Sequence, residues 1–371
     1  MLPTDNNTVK SILQTWLVTK MATPDLKVTA MKDRSGAGFS AETFYIDVEF
    51  SQDGELQQRS LVVRCQNQAS DFFVAASIDF PYKVMEAVAA NSSVPVPNLI
   101  GLELDDSILG LPFLVMEKMD GRVVQQSPNY NRAGWLSEMT PEQRRQVWFN
   151  GIDQMAAVNR LDWQQGFTFL ADPKYGKPGI EGYLGWVREW YEWARGEPIP
   201  LMERAYAKLM SERPDNAPVS VLWGDPSPSN ILFANDDSCE VTVVLDWELA
   251  NLGPAEVDLA WWLFFDDLFS HGMGLPRLEG LPNREETIAH YESKLGRKVD
   301  KLDYYDLLAT FRMAIVGMRA VDRQIERGTI PATSTARTNQ PIMCLLAKCM
   351  GEPIPELGED YAAFAKVIGL A

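Results

Sequence analysis

Apolar and polar positions alternate in short runs along the first 120 or so residues, as expected of β-strands with one buried face. The predicted strands span 26–31, 43–50, 60–65, 99–104 and 113–116. Two segments instead carry apolar residues at helical spacing and predict helices over 6–21 and 78–91. Asp53-Gly54 marks a turn between the second and third strands. The front of the chain is therefore a β-rich section with a lead helix.

From residue 133 onward the apolar period changes to about 3.6 residues, which is typical of packed helices. Helices are predicted over 141–159, 183–194, 201–211, 256–269, 285–295 and 301–327, with a final pair over 342–350 and 360–370. Short apolar runs between 221 and 245 interrupt them, and the stretch 329–341, rich in Thr, Ala and Pro, indicates a loop. We expect an α+β chain with an N-terminal lobe over 1–117 and a helical C-terminal lobe over 118–371.

The most specific chemistry lies in Val221-Leu-Trp-Gly-Asp-Pro-Ser-Pro-Ser-Asn-Ile-Leu-Phe233 and Val243-Val-Leu-Asp-Trp-Glu248. One apolar run ends at Asp225, Asn230 follows five residues on, and a later run leads to Asp246 and Glu248. Phosphoryl transfer from a magnesium nucleotide needs a carboxylate to accept the proton of the attacking hydroxyl, and an amide and a carboxylate to hold the metal. A single Asp or Asn at a strand end most often serves only the turn. The four together, flanked by apolar runs, favour a phosphotransfer site.

The order Asp225-x4-Asn230 and then Asp246 resembles the catalytic loop and metal-binding aspartate of the aminoglycoside phosphotransferase and choline kinase-like family. Further segments, in the family's order, resemble the subgroup related to the kinase-like domain of certain acyl-CoA dehydrogenases. They are Leu61-Val-Val-Arg64, Val94-Pro-Val-Pro97, Gly110-Leu-Pro-Phe-Leu-Val-Met-Glu117 with Asp120-Gly-Arg122, and Gly253-Pro-Ala-Glu-Val-Asp-Leu-Ala-Trp261. The resemblance runs from about residue 25 to about residue 330. It implies a protein-kinase-like two-lobed fold, with a small antiparallel β-rich N-lobe and a mostly helical C-lobe.

The resemblance also implies an activity, namely ATP- and magnesium-dependent phosphotransfer to a hydroxyl of a small molecule. Asp225 would be the catalytic base, Asn230 and Asp246 would hold magnesium, and Glu248 would take a second metal or a metal-bound water. The acceptor stays open between an aminoglycoside-like molecule and a hydroxyacyl-CoA-like thioester. The side chains do not distinguish ATP from GTP.

Three segments match the nucleotide-binding parts of this family. Ser35-Gly-Ala-Gly-Phe-Ser40 would cover the phosphates with Ser35, Gly36, Gly38 and Ser40, although a short glycine hairpin is equally a structural turn. Arg64 would bind the α- and β-phosphates, and its usual glutamate partner stays open, with the family position near Pro81 and Glu86 one turn further on. The adenine would meet the backbone of a hinge over Met116, Glu117 and Met119.

Trp223 stands where the family has a histidine that braces the catalytic loop. An indole has one N–H donor and no acceptor, so it reproduces only part of that bracing. A catalytically silent nucleotide-binding module of the same fold is therefore the alternative function. Asp258 is expected to brace the catalytic segment, and Trp261 and Trp262 are expected to be core residues on a helix that is apolar nearly all round.

Charge and residue composition exclude several classes of binding partner. The 371 residues carry a formal net charge of −17 with a pI near 4.6, which argues against nucleic acid and anionic membranes. Four cysteines without a C-x2-C pair and two histidines argue against zinc. We see no signal peptide and no apolar stretch of membrane-spanning length, so the cytoplasm is the expected compartment. The expected partner is a small-molecule acceptor; the sequence does not indicate an oligomeric state.

Overall fold

The computed structural model describes residues 2, 5–35, 41–66, 72–74 and 77–355. The helix predicted over 360–370 lies outside these residues, as do Gly36, Gly38 and Ser40. The chain divides into two compact units. The first runs to Gly121 and also takes Thr242–Glu248, and the second comprises Arg122–Val241 and the chain from Leu249 onward.

The strands of the described residues are β1 (Lys27–Ser35), β2 (Ala41–Gln52), β3 (Glu55–Gln66), β4 (Leu99–Glu103), β5 (Phe113–Glu117), β6 (Ser220–Leu222), β7 (Ile231–Phe233), β8 (Val241–Val244) and β9 (Asn251–Gly253). Their α-helices are α1 (Asn6–Lys20), α2 (Asp79–Asn91), α3 (Asp106–Leu109), α4 (Trp135–Glu138), α5 (Pro141–Asn159), α6 (Ile180–Arg195), α7 (Pro200–Ser211), α8 (Glu256–Phe269), α9 (Arg284–Leu295), α10 (Leu302–Glu326) and α11 (Pro341–Met350).

The first unit is built on an antiparallel sheet in the order β1-β2-β3-β5-β4. The β2–β3 hairpin closes at Asp53 and Gly54, whose φ angles of +53° and +82° suit a tight two-residue hairpin turn. Alternate residues of β2, such as Phe44 and Ile46, are fully buried, as the period of two predicts. The sheet thus presents one continuous apolar face.

Helix α1 covers that apolar face. Its buried residues Val9, Leu13 and Leu17 belong to the same core cluster as the inward side chains of β2 and β3. Trp16 packs edge-on against Phe113 at 4.9 Å between ring centroids, and its indole donates a hydrogen bond to Glu103. The predicted lead helix is therefore an integral part of the first unit's core.

The second unit is helical around short strands. Helix α5 begins at a capping box in which Thr140 and Gln143 satisfy each other's backbone N–H groups. Helix α8 is buried on nearly every side, as its continuous apolar sequence predicts. Strands β6 and β9 form an antiparallel pair with Val221 opposite Leu252. This pair supports the loop that follows β6.

The α+β class, the antiparallel first-unit sheet and the helical second unit confirm the expected fold. Element ends differ by a few residues; β1, for example, extends to Ser35 because it pairs with β2 beyond its apolar run. The sequence missed α3 and α4, each of four residues, because one helical turn is too short to show a periodic pattern.

Candidate active site

The loop after β6 turns sharply at a glycine. Gly224 has a φ of +91°, and a Cβ placed on it would lie 2.0 Å from the carbonyl oxygen of Leu249. Only glycine combines that backbone conformation with so close an approach. The turn leads directly into Asp225, which is half-buried.

A buried carboxylate braces this turn. Asp258, fully buried on α8, accepts hydrogen bonds from the backbone N–H groups of Trp223 at 2.8 Å and Gly224 at 3.1 Å. It also accepts one from Asn159 at 2.8 Å. Burial raises the pKa of Asp258 to about 6, and these hydrogen bonds partly oppose that rise. The bracing role expected of Asp258 is present, and Trp223 is buried with its backbone held by it.

A buried arginine holds the same turn from α10. Arg312 has no exposed surface, and its Nη2 donates to the carbonyl oxygen of Gly224 at 2.7 Å. Its guanidinium carbon lies 4.0 Å from the ring centroid of Trp261, within the range of a cation–π contact. The turn is therefore held through both its N–H and its C=O groups.

Both carboxylate oxygens of Asp225 receive a hydrogen bond. The indole Nε1 of Trp261 donates to Oδ1 at 2.6 Å, and the amide Nδ2 of Asn230 donates to Oδ2 at 2.9 Å. The same amide donates to the backbone oxygen of Asp225 at 3.0 Å. Asn230 thereby uses its nitrogen on the aspartate, which makes its Oδ1 the atom suited to a cation.

Short polar contacts fix the five-residue connection between Asp225 and Asn230. The hydroxyl of Ser227 accepts from the backbone N–H of Ser229 at 3.3 Å, and the two hydroxyls lie 2.8 Å apart. The amide of Gln126 donates to the Ser229 hydroxyl at 2.8 Å. The loop that carries both residues is thus tied at its ends and its middle.

Asp246 and Glu248 belong to the first unit, in the segment that follows β8. The N–H of Val244 donates to the Pro95 carbonyl at 2.7 Å, and the Trp247 indole donates to the Val244 carbonyl at 3.1 Å. Asp246 has a φ of +62°, a conformation that aspartate tolerates better than most residues but that still costs energy. Such a conformation in a non-glycine residue is typical of functional positions.

Arg64, on β3, forms an ion pair with Glu248. Both side chains are largely buried, with exposed fractions of 18% and 12%. The sequence left the partner of Arg64 open, with Glu86 as one choice; Glu86 is exposed on α2. The structure therefore adds an arginine partner to Glu248, which sequence analysis assigned to a metal.

The hinge segment lies at the end of β5. Met116 is buried, and the N–H groups of Glu117 and Lys118 donate to the carbonyls of Asn98 and Ser60 at 2.8 Å each. An adenine contact through either N–H would have to replace a hydrogen bond of the sheet. Met119, half-buried, follows directly. Ser35 ends β1, and the rest of the predicted phosphate loop lies outside the described residues.

Sequence reasoning missed three residues of the loop's surroundings. Asn159 ends α5, Arg312 lies inside α10, and Trp261 was assigned to the core alone. Trp261 is indeed buried, with 2% of its surface exposed, but its one polar atom contacts Asp225. Arg312 lies among buried apolar residues of α10 such as Phe311 and Ile315, and a charge on the apolar face of a helix was the available signal.

A cavity of about 440 Å³ lies in the second unit among α8, α10 and α11. Its charged lining is mostly paired: Asp266 with Arg277 at 2.8 Å, and Asp306 with Arg284 at 2.6 Å. Phe264, which stacks on Trp261 at 6.1 Å, forms part of its wall. The lining carries four acidic side chains against two arginines, so it is net acidic and favours a cationic ligand over an anionic one.

No group of three or more His, Cys, Asp or Glu residues in the described ranges has the arrangement of a metal site. Among the described helices, none is both long and apolar enough to cross a bilayer.

Most of the chain matches a known protein family. A model of the Phosphotransferase enzyme family matches residues 36–287, about two thirds of the chain. Among curated proteins, mouse (Mus musculus) Acyl-CoA dehydrogenase family member 10 is 27% identical over 310 residues. That alignment covers 80% of this chain and 27% of the mouse protein, so the chain spans about a quarter of that relative.

Solved structures share the fold. A Ralstonia eutropha JMP134 protein, provisionally assigned as an aminoglycoside phosphotransferase, has a TM-score of 0.64 at 22% identity, covering 91% of this chain and 95% of that one. Aminoglycoside phosphotransferase APH(4)-Ia, in a ternary complex with ADP and hygromycin B, has a TM-score of 0.55 at 14% identity, covering 92% and 99%. At these identities the likeness establishes the fold alone.

Proposed function

This chain belongs to the Phosphotransferase enzyme family, and we propose that it is an ATP- and magnesium-dependent O-phosphotransferase acting on a hydroxyl of a small molecule. Family membership supports phosphotransfer as the reaction class. Aminoglycoside phosphotransferase APH(4)-Ia, which shares the fold, binds ADP and hygromycin B in one ternary complex, and this supports a nucleotide and a small molecule as the ligands. The chain's own activity and acceptor are part of the proposal.

The observation that supports it most is the geometry of Asp225. Its two carboxylate oxygens are held by Trp261 and Asn230, on a turn that Asp258 and Arg312 brace from two helices. These contacts hold the carboxylate in one orientation, and a carboxylate so placed can serve as a general base. Asp225 can therefore accept the proton of an acceptor hydroxyl as that oxygen attacks the γ-phosphorus.

The residues present fit magnesium. Asn230 presents an amide oxygen because its nitrogen is bound to Asp225, and Asp246 supplies a carboxylate. Magnesium usually binds one or two protein oxygens together with substrate phosphates rather than an all-protein cage. We assign Asn230 and Asp246 as ligands, and Glu248 as a residue that reaches a metal or its water while it orients Arg64. The bound ion would neutralise charge on the phosphates.

For the nucleotide, we assign Arg64 to the phosphates, because its guanidinium is permanently charged and is held in place by Glu248. Loop residues Ser35, Gly36, Gly38 and Ser40 are assigned to the phosphates on the family pattern. The hinge over Met116, Glu117 and Met119 is assigned to the adenine on the same ground. ATP would supply the phosphoryl group. Arg64 and the loop residues would position that group and offset its negative charge.

The acceptor remains one of two classes. The acyl-CoA dehydrogenase relatives favour a hydroxyacyl thioester, whereas the solved aminoglycoside phosphotransferases favour a polyamine sugar. The negative net charge favours a cation, and the net acidic lining of the cavity in the second unit agrees with that preference.

The test is a screen of magnesium-dependent ATP consumption over acceptors of both classes. Asp225→Ala is expected to abolish any turnover found, or to reduce kcat by at least about a hundredfold, because the hydroxyl then lacks its general base. Asp215→Asn, at an exposed aspartate of the same unit whose side chain is 62% exposed, is the matched control and should leave kcat unchanged. Full turnover in Asp225→Ala would remove Asp225 from the role of base.

One observation favours a second function, a catalytically silent nucleotide-binding module. It is Trp223, buried where the family has a histidine. The backbone bonds from Asp258 and Arg312 brace the loop independently of that side chain, which supports the active reading. Protein that binds magnesium–ATP tightly but never releases γ-phosphate, with either acceptor class, would establish the silent module.

A further inference from the structure

We propose that Trp261 is a positioning residue for the base: its indole N–H, with the Arg312 guanidinium over its ring, fixes the orientation of the Asp225 carboxylate. This inference rests on the proposed function for its kinetic consequence, but the contact itself can be tested without turnover. Nothing in the family match assigns a role to either residue.

The Trp261 ring has little freedom. It is 2% exposed, packs edge-on against Phe265 at 5.1 Å between centroids and stacks on Phe264 at 6.1 Å. An indole has a single N–H, and here it points at Oδ1 of Asp225 with a distance of 2.6 Å. A donor carried by a fixed ring restricts the rotation of the carboxylate far more than an exposed, mobile side chain would.

Arg312 gives this donor its strength. Its guanidinium carbon lies 4.0 Å from the Trp261 centroid, and a cation on an aromatic face draws electron density from the ring. The N–H of a ring so polarised is a better donor. Arg312 thus acts on Asp225 through the indole and, by its 2.7 Å bond to the Gly224 carbonyl, through the backbone of the preceding residue.

Burying the Arg312 guanidinium costs free energy, which supports a functional reason for an arginine at this position. Its Nε and Nη1 have no hydrogen-bond partner within the described part of the chain, although the side chain is fully buried. Buried unsatisfied donors on a charged group are destabilising. An apolar side chain on α10 could fill the space, but it could neither hold the Gly224 carbonyl nor polarise the indole.

Two neighbouring tryptophans give a matched kinetic test. Trp261→Phe removes the N–H and keeps most of the ring; Trp262→Phe makes the same change in the next residue of α8, which is also buried but packs on Trp148 instead. Loss of a hydrogen bond to a charged group is expected to lower kcat in Trp261→Phe by about tenfold to a hundredfold, with KM for ATP unchanged. Trp262→Phe should leave both kcat and KM unchanged.

A second measurement does not depend on activity. In protein labelled with ¹⁵N in the tryptophan indoles, the Trp261 N–H resonance, assigned by its loss in Trp261→Phe, should be shifted downfield by its hydrogen bond to the carboxylate. Asp225→Asn should move the resonance upfield, and so should Arg312→Lys, which keeps a cation but loses the flat guanidinium. The Trp262 resonance should stay in place in both.

The outcomes separate the two proposals. An absence of turnover in the wild-type protein, together with a Trp261 resonance that moves in Asp225→Asn, would contradict the proposed activity and support the contact. Equal kcat in Trp261→Phe and wild type, or a Trp261 resonance indifferent to Asp225→Asn, would overturn the positioning role.

Discussion

Steric contact, rather than charge, requires glycine at position 224, immediately before the proposed base. A Cβ on Gly224 would meet the Leu249 carbonyl oxygen at 2.0 Å, in a backbone conformation that side chains disfavour. Gly224→Ala is therefore expected to destabilise the protein by about 3 kcal/mol or more, from backbone strain and overpacking together, and to abolish turnover by displacing Asp225. Chemical unfolding and ATP consumption measure the two effects.

The control for that substitution is Gly296→Ala. Gly296 ends α9 with a φ of +80°, and nothing lies within 4 Å of a Cβ placed there. It should cost only the strain of the left-handed conformation, about 1 kcal/mol, and leave turnover intact. Equal losses at both glycines would show that contact with Leu249 is not the deciding factor.

Strand β6 and helices α5, α8 and α10 meet at the turn into Asp225. Asp258 on α8 is the carboxylate that accepts hydrogen bonds from this turn and from α5. Burial raises its pKa from 3.8 to about 6. Between those values the folded protein holds a proton that the unfolded chain has lost, so this group favours folding more as pH falls from 7 to 4. The corresponding difference in free energy of unfolding is about 3 kcal/mol.

Asp258→Asn removes that titration and leaves other ionisable groups in place. The free energy of unfolding of wild type minus that of Asp258→Asn should therefore increase by up to about 3 kcal/mol between pH 7 and pH 4. Urea unfolding at half-unit pH intervals measures it. A difference that stays flat, or that falls as the pH is lowered, would mean that Asp258 is not held with a raised pKa.

For the whole molecule, the proposal predicts stabilisation by ligand. ATP with magnesium should raise the melting temperature by a few degrees at concentrations about a hundredfold above Kd, and ATP with a chelator should raise it less. Asp246→Asn should remove the metal-dependent part, because the proposed ligand loses its charge, and it should also remove γ-phosphate release. Asp106→Asn, at an exposed position of the same unit, is the control. Stabilisation by ATP that is the same with and without magnesium would argue against the assigned metal ligands.

Local sequence patterns predicted most elements of the fold. The spacing of apolar residues, two in strands and 3.6 in helices, depends only on which face of the element is buried. The hairpin turn at Asp53-Gly54 depends only on the backbone conformations open to those two residues. The order of Asp225, Asn230 and Asp246 is likewise local, since the functional loop is continuous in the chain. Asp258 could be assigned to bracing because it lies in a recognisable segment.

The contacts that tune the site were decided by tertiary structure. Arg64 and Glu248 are 184 residues apart, Arg312 and Gly224 are 88 apart, and Trp261 reaches Asp225 across 36. In each pair, the residue types alone do not indicate which residue is the partner. The partner depends on how the helices and strands pack, because a hydrogen bond requires its two groups to lie within about 3 Å of each other. The sequence by itself determined the elements and the chemical class of the loop; the packing of α8 and α10 behind that loop decided how its aspartate is held.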